Sequence, residues 1–68
     1  GGLTRRELEV LSRIARGDTN RQVAQLLSLS DKTVGRHLAN IYAKLGVSSR
    51  TAAANWARDN NVLHHSHH

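Results

Sequence analysis

Basic and small side chains alternate with apolar ones along residues 31–45, and at helical spacing this pattern separates them onto different sides. The side opposite the apolar residues is predicted to carry Lys32, Arg36, Ala39, Asn40 and Ala43. Lysine and arginine donate hydrogen bonds to phosphate oxygens and to the O6 and N7 atoms of guanine. Alanine lets a helix backbone approach the base edges, since a helix only just fits a major groove about 12 Å wide. This side is therefore suited to binding nucleic acid.

Gly35 is an unusual residue for the interior of this helix. Glycine costs roughly 1 kcal/mol relative to alanine at such a position, so helix propensity does not explain its presence. We expect Gly35 to allow close approach to a groove or a phosphate. A tolerated, exposed glycine is the alternative.

Four helices are predicted to position these residues, and each has a recognisable start or stop. The first opens at Thr4, where Glu7 completes a capping box, and it ends at Gly17. The second covers about residues 20–27 and has three competing N-caps, Asp18, Thr19 and Asn20. The fourth begins after Ser48 or Ser49.

The third helix follows the second after the short turn Ser28-Leu29-Ser30. It is predicted to span about Asp31 to Leu45, to be capped by Ser30 and to end at Gly46. Its apolar stripe consists of Val34, Leu38, Ile41 and Leu45. Two helices joined in this way match a helix-turn-helix arrangement. The predicted fold class is therefore all-α, a four-helix helix-turn-helix domain with the third helix as recognition helix.

The composition agrees with a small basic domain. A chain of 68 residues forms one domain at most, and its 38% hydrophobic residues include one Trp, one Tyr and no Phe, which favours helices over a sheet. Ten Lys and Arg against five Asp and Glu give a formal charge of +5. This charge favours nucleic acid as the partner, with an anionic membrane surface as the competitor. Because no apolar run reaches the roughly 18–20 residues of a membrane span, we expect a soluble, cytoplasmic chain.

An enzyme is not expected. Glu7, Glu9 and Asp18 are acidic, but no nucleophile, metal-ligand cluster or glycine-rich phosphate loop accompanies them. Such carboxylates serve more often as helix caps or surface ion-pair partners. No catalytic residue, metal site or cofactor is predicted.

The composition changes abruptly after Leu63, where His64-His65-Ser66-His67-His68 follows. Four histidines in five residues are typical of an affinity tag or a disordered tail rather than a native metal site. We therefore predict the folded helix-turn-helix domain over residues 1–63 and a separate His-rich tail over 64–68.

Four ordered blocks resemble the LuxR-type (GerE-like) helix-turn-helix domain of bacterial transcription regulators, including response regulators of the NarL/FixJ kind. The resemblance covers Leu3 through Ala57. The blocks are Leu3-Thr4-Arg5-Arg6-Glu7-Leu8-Glu9-Val10-Leu11, Gly17-Asp18-Thr19-Asn20-Arg21-Gln22-Val23-Ala24, Ser30-Asp31-Lys32-Thr33-Val34-Gly35-Arg36-His37-Leu38 and Ile41-Tyr42-Ala43-Lys44-Leu45-Gly46-Val47-Ser48-Ser49-Arg50. Such domains are usually the C-terminal output module behind a receiver or sensor domain. Helix-turn-helix folds also bind polymerase subunits, so RNA polymerase is expected as a further partner.

The resemblance implies sequence-specific binding of double-stranded DNA, with the third helix in the major groove. The family's base-contacting positions correspond to Gly35, Arg36 and Ala39. The positions that usually touch the DNA backbone correspond to Asn20, Arg21, Ser30, Lys32, Thr33 and His37. Many members carry Lys where Gly35 stands and Ser or Lys where Ala39 stands, so fewer direct base contacts are expected here.

The fourth helix of the family commonly forms a two-fold dimer contact. The small residues Ala53, Ala54 and Ala57, with Trp56 nearby, are therefore expected to form a weak homodimer surface. The alternative is that these alanines pack against the first helix.

A helical protein-interaction module is the strongest rival from another functional class. The affinity of such a module for its partner need not fall steeply as the salt concentration rises, whereas the affinity of a DNA-binding domain for DNA must. RNA binding ranks third, because duplex RNA hides its major groove from a helix.

Overall fold

The computed structural model describes residues 2–62. It consists of the helices α1 (Arg5–Ala15), α2 (Asn20–Leu27), α3 (Asp31–Leu45) and α4 (Arg50–Asp59). No strand occurs within the described range, so the predicted all-α, four-helix fold class is confirmed. The predicted domain limit at Leu63 and the His-rich tail over 64–68 lie outside the described residues.

A hydroxyl side chain caps the start of every helix. These N-caps are Thr4, Thr19, Ser30 and Ser49. In the predicted capping box of α1, the Glu7 N–H donates to Thr4 Oγ1 at 3.1 Å and the Thr4 N–H donates to Glu7 Oε1 at 2.8 Å. Thr19, one of the three predicted candidates for α2, forms a second box with Gln22. Because each cap pairs an N–H that the helix leaves unsatisfied, residues within one turn determine where the helices begin.

The turn between α2 and α3 is sharp because Ser28 adopts a left-handed conformation, with φ of 59°. The N–H groups of Ser28 and Leu29 both donate to the Ala24 carbonyl and close the end of α2. Gly46 ends α3 in the same conformation, as predicted, with φ of 70°. The left-handed residue at Ser28 ends α2 before α3 begins, and the one at Gly46 ends α3 before α4 begins.

The core is formed around α1, which contacts all three other helices. The fully buried larger side chains are Val10, Leu11, Val23, Val34 and Ile41. Three of the four residues in the predicted stripe of α3 are buried, while Leu45 is partly buried against the same core. One side of α3 is thereby fixed to the domain and its other side faces outward.

The alanines of α4 belong to this core. Ala53 and Ala57 have no exposed surface and Ala54 retains 8%, while Trp56 is partly buried against the same cluster. The prediction that these residues form a dimer surface is therefore wrong for the three alanines. Their small side chains let α4 pack closely on the core that it shares with α1, which is the alternative that the sequence left open.

Candidate nucleic-acid interface

The side of α3 that the sequence predicted for binding is exposed. Lys32, Arg36, Ala39, Asn40 and Ala43 all lie at the surface. Lys32 and Arg36 form no ion pair or hydrogen bond with any part of the chain that the structure describes. Their charges are therefore available to an external anion.

Gly35 is half-buried at the edge of this exposed side. A Cβ atom added there would meet nothing within 4 Å. Packing within residues 2–62 therefore does not require a glycine at this position.

The start of α3 presents two hydroxyl groups that also form its cap. Ser30 Oγ accepts from the Thr33 N–H at 3.0 Å and lies 2.9 Å from Thr33 Oγ1, to which it donates. The Thr33 hydroxyl keeps its own proton for another acceptor. With Lys32 between these residues and the positive end of the helix dipole beside them, the arrangement suits a phosphate group.

The start of α2 is the second place where predicted contacts occur together. Arg21 is exposed and, within the described residues, has no partner. Asn20 is half-buried, and its Oδ1 accepts a hydrogen bond from an Arg50 guanidinium nitrogen at 2.7 Å. The sequence did not indicate Arg50 as a site residue, because a contact between residues 30 positions apart leaves no periodic signal.

His37 is half-buried on α3 and hydrogen-bonds to no residue within the described range. Its ring nitrogens are therefore not committed to the fold.

Lys44, at the opposite end of α3, differs from Lys32 and Arg36 because it is paired. Its Nζ lies 2.7 Å from Oε1 of Glu7, a residue of α1 that is only 4% exposed. The hydrogen bond from Lys44, followed by that from the Thr4 N–H, holds the pKa of the Glu7 carboxyl below its usual value, although burial opposes this shift. The sequence correctly indicated Glu7 as a cap but did not reveal that it is buried.

Three basic side chains are held in ion pairs, whereas others are not. Arg6, Arg13 and Lys44 form ion pairs with Glu9, Asp18 and Glu7, at 3.8, 2.8 and 2.7 Å. Arg21 of α2, Lys32 and Arg36 of α3 and Arg5 of α1 are unpaired among the described residues, and Asp31 is the acidic residue of α2 and α3. Since α2 and α3 pack against each other, three of these unpaired charges belong to the helix-turn-helix unit.

Comparison with known proteins agrees with this geometry. The profile of the GerE family, described as bacterial regulatory proteins of the luxR family, matches residues 2–57. The chain belongs to the LuxR family. The resemblance in its four sequence blocks is thereby confirmed.

Relatives of this LuxR-family domain include the transcriptional regulatory protein LiaR of Bacillus subtilis strain 168, which is 48% identical over 61 residues. That alignment covers 90% of the chain and 29% of LiaR. The nitrate/nitrite response regulator protein NarP of Escherichia coli K12 is 49% identical over 51 residues, covering 75% of the chain and 24% of NarP. The LuxR-family domain thus spans less than a third of these relatives.

A solved structure shows the same fold. The crystal structure of the response regulator ChrA, from a heme-sensing two-component system, superposes with a TM-score of 0.84 and 45% sequence identity. The match covers 91% of the LuxR-family domain and 31% of the ChrA chain. The helix-turn-helix architecture is therefore shared with a response regulator.

Across residues 2–62, no group of histidine, cysteine and acidic side chains is placed to hold a metal ion. None of the helices in that range is both long and apolar enough to cross a membrane.

Proposed function

We propose that this LuxR-family domain binds double-stranded DNA in a sequence-specific manner and serves as the output domain of a transcription regulator. The observation that carries this proposal is the unpaired, exposed pair Lys32 and Arg36 on α3. The opposite side of that helix is fixed to the core by Val34, Leu38 and Ile41. A helix held on one side and basic on the other is the form in which helix-turn-helix domains enter the major groove.

Base recognition is assigned to three neighbouring positions of α3. Arg36 has the donors for a bidentate contact to guanine O6 and N7. Gly35 and Ala39 add no bulk, so they let the helix lie close to the base edges. A guanine opposite Arg36 is the preference that this arrangement favours.

Phosphate contacts are assigned to the starts of α2 and α3 and to His37, further along α3. The residues are Asn20, Arg21, Ser30, Lys32, Thr33 and His37. The free N–H groups and dipole at the start of each helix support these contacts, as do the unpaired charges of Arg21 and Lys32. Such contacts fix the position of the domain on the duplex but carry no sequence information.

A weak homodimer on DNA is proposed through the exposed side of α4. With its alanines buried, this helix presents Thr51, Ala52 and Asn55, beside the partly exposed Trp56. A two-fold contact there would place two recognition helices on inverted half-sites about 34–36 Å apart.

The whole regulator is proposed to carry a receiver or sensor domain in addition to this one. The lengths of LiaR and NarP support this, because the chain covers only 29% and 24% of them. Contact with RNA polymerase and a cytoplasmic location follow from the proposed role in transcription. The mechanism is docking, so no catalytic step or cofactor is assigned to the chain.

Selection of binding sites from a pool of random duplexes tests the proposal. The native chain is expected to enrich a motif that contains guanine, and its affinity for the selected duplex should fall steeply with salt as counterions are released. The matched single strand and the matched RNA duplex should bind more weakly. A chain that enriches no motif and shows no salt dependence would instead support a protein-interaction module.

A further inference from the structure

Arg50 joins two helices whose backbones do not approach each other. Within the described residues, α2 and α4 form no close backbone contact, whereas both pack on other helices. Arg50, the first residue of α4, spans this gap with two guanidinium nitrogens. One donates to Asn20 Oδ1 at 2.7 Å and the other to the Asp18 carbonyl oxygen at 2.6 Å.

The contact with Arg50 determines which way the Asn20 carboxamide is turned. A guanidinium group has only donors, so the atom of Asn20 that faces it must be the oxygen. The Asn20 amide nitrogen, with its two N–H donors, then has no partner among the described residues. The Asn20 side-chain oxygen is thus occupied by Arg50, while its two amide N–H donors remain available.

The loop before α2 is fixed from both sides. Arg13 of α1 donates through Nε to Asp18 Oδ2 at 2.8 Å, and the Asp18 N–H donates to the Arg13 carbonyl at 3.1 Å. Because Asp18 is anchored to α1, its carbonyl is a stationary acceptor for Arg50. The guanidinium of Arg50 is therefore placed by the fold as well as by Asn20.

We infer that Arg50 is a positioning residue for the phosphate contact at the start of α2, since it orients the Asn20 amide donors toward an external acceptor beside Arg21. This inference rests on the proposed DNA-binding function. A phosphate oxygen is an acceptor only, so it matches the free donors of Asn20, and it would be repelled by the carboxamide oxygen if the amide were reversed.

A direct contact between Arg50 and DNA is the competing explanation, because the residue is exposed. The two cases differ in how the effects of substitutions combine. If Arg50 acts through Asn20, the two residues form one unit, and the losses of DNA affinity caused by substituting each of them do not multiply. If each touches DNA separately, the losses multiply.

The experiment measures the affinity of the full chain for a fluorescent mixed-sequence duplex about two helical turns long, at low salt. The variants are Arg50→Ala, Asn20→Ala and the double variant. Each single variant is expected to bind the duplex about 5-fold more weakly than the native chain, which is the effect of losing one hydrogen bond. The affinity of the double variant should also be only about 5-fold lower than that of the native chain. Circular dichroism and thermal unfolding verify that each variant is folded at the temperature of the binding measurement.

Arg58→Ala is the matched control, because it removes the same charge from the same helix. Arg58 donates to Asn55 and to the Ala15 carbonyl and has no contact with Asn20. If Arg58→Ala weakens binding, the loss of affinity in a double variant with Asn20→Ala should therefore equal the product of the two single losses. Arg50→Lys replaces Arg50→Ala if the alanine variant does not fold. Lysine keeps the positive charge but cannot donate to both Asn20 and Asp18. Its loss of affinity should be absent when it is introduced into the Asn20→Ala variant.

Three results would overturn the inference. Multiplying losses for Arg50 and Asn20 would show a direct contact, and native affinity of Arg50→Ala would show that the residue has no part in binding. A native chain that does not bind the duplex would instead overturn the proposed function, and the inference with it. The first two leave the proposed function standing, so the two failures are distinguishable.

Discussion

Lys44 Nζ lies 2.7 Å from Glu7 Oε1, and this ion pair joins the last turn of α3 to the first turn of α1 across 37 positions of sequence. The same Glu7 oxygen accepts from the Thr4 N–H at 2.8 Å. One carboxylate thus caps α1 and anchors the helix that carries the proposed base contacts. Because Glu7 is buried, its charge depends on these two donors.

The Glu7 ion pair predicts how stability depends on pH. Since the folded pKa of Glu7 lies below its ordinary value of 4.5, the stabilisation is fully present above that value and is lost as pH falls through the folded pKa. Glu7→Gln should lower the free energy of unfolding by about 1–2 kcal/mol near neutral pH, through the lost ion pair and the weaker cap. Urea unfolding of both chains between neutral and acidic pH measures this difference, which should shrink below pH 4.5.

Glu9→Gln is the control for this measurement. Glu9 is exposed and pairs with Arg6 at 3.8 Å, so its substitution should change the free energy of unfolding by no more than about 0.5 kcal/mol. A Glu7→Gln difference that stays constant down to acidic pH would contradict the assigned role of the Glu7 charge.

Gly35→Ala should affect stability and binding in opposite directions. The added methyl group meets nothing within 4 Å, so the helix should gain about 1 kcal/mol of stability from alanine's higher propensity. If α3 approaches DNA closely at Gly35, the same methyl group should weaken binding to the selected duplex. Urea unfolding and duplex titration measure the two effects, and equal affinity of the two chains would favour a merely tolerated glycine.

Arg36→Ala and Lys32→Ala should weaken DNA binding in different ways. Arg36→Ala should cost about 1–3 kcal/mol on the selected duplex and relax the preference at one base pair. Lys32→Ala should weaken selected and mixed duplexes alike and reduce the salt slope by about one unit. Repeating the site selection and the salt titration with each variant separates the roles, and an unchanged base preference in Arg36→Ala would remove it from the base contacts.

Adjacent residues of α4 should respond differently to a new charge. Ala54→Glu places a carboxylate in the core and should lower the free energy of unfolding by about 3 kcal/mol or more. Asn55→Glu alters the exposed side, so it should leave folding intact but abolish cooperative occupancy of two inverted half-sites. Thermal unfolding and titration of duplexes with one and two half-sites measure these effects. Cooperative binding by Asn55→Glu would show that α4 is not the dimer surface.

The sequence by itself determined the helices, because their signals are local. Thr4 with Glu7 and Ser30 with Thr33 are pairs three positions apart, so the caps form as soon as the chain turns. The apolar stripe of α3 likewise determines which of its sides faces outward, and hence that Lys32 and Arg36 are exposed. The four blocks of residues also identified the LuxR family, which the matched profile confirms.

Only the tertiary structure decided which contacts are made by residues that lie far apart in the sequence. The buried Glu7 carboxylate is paired with Lys44 across 37 positions, and the Asn20 oxygen is held by Arg50 across 30 positions. The alanines of α4 repeat at a helical spacing that suits either a core or an interface, and packing in the core decided between them. Periodicity shows which side of a helix differs from the other, but only the neighbouring helices determine what each side contacts.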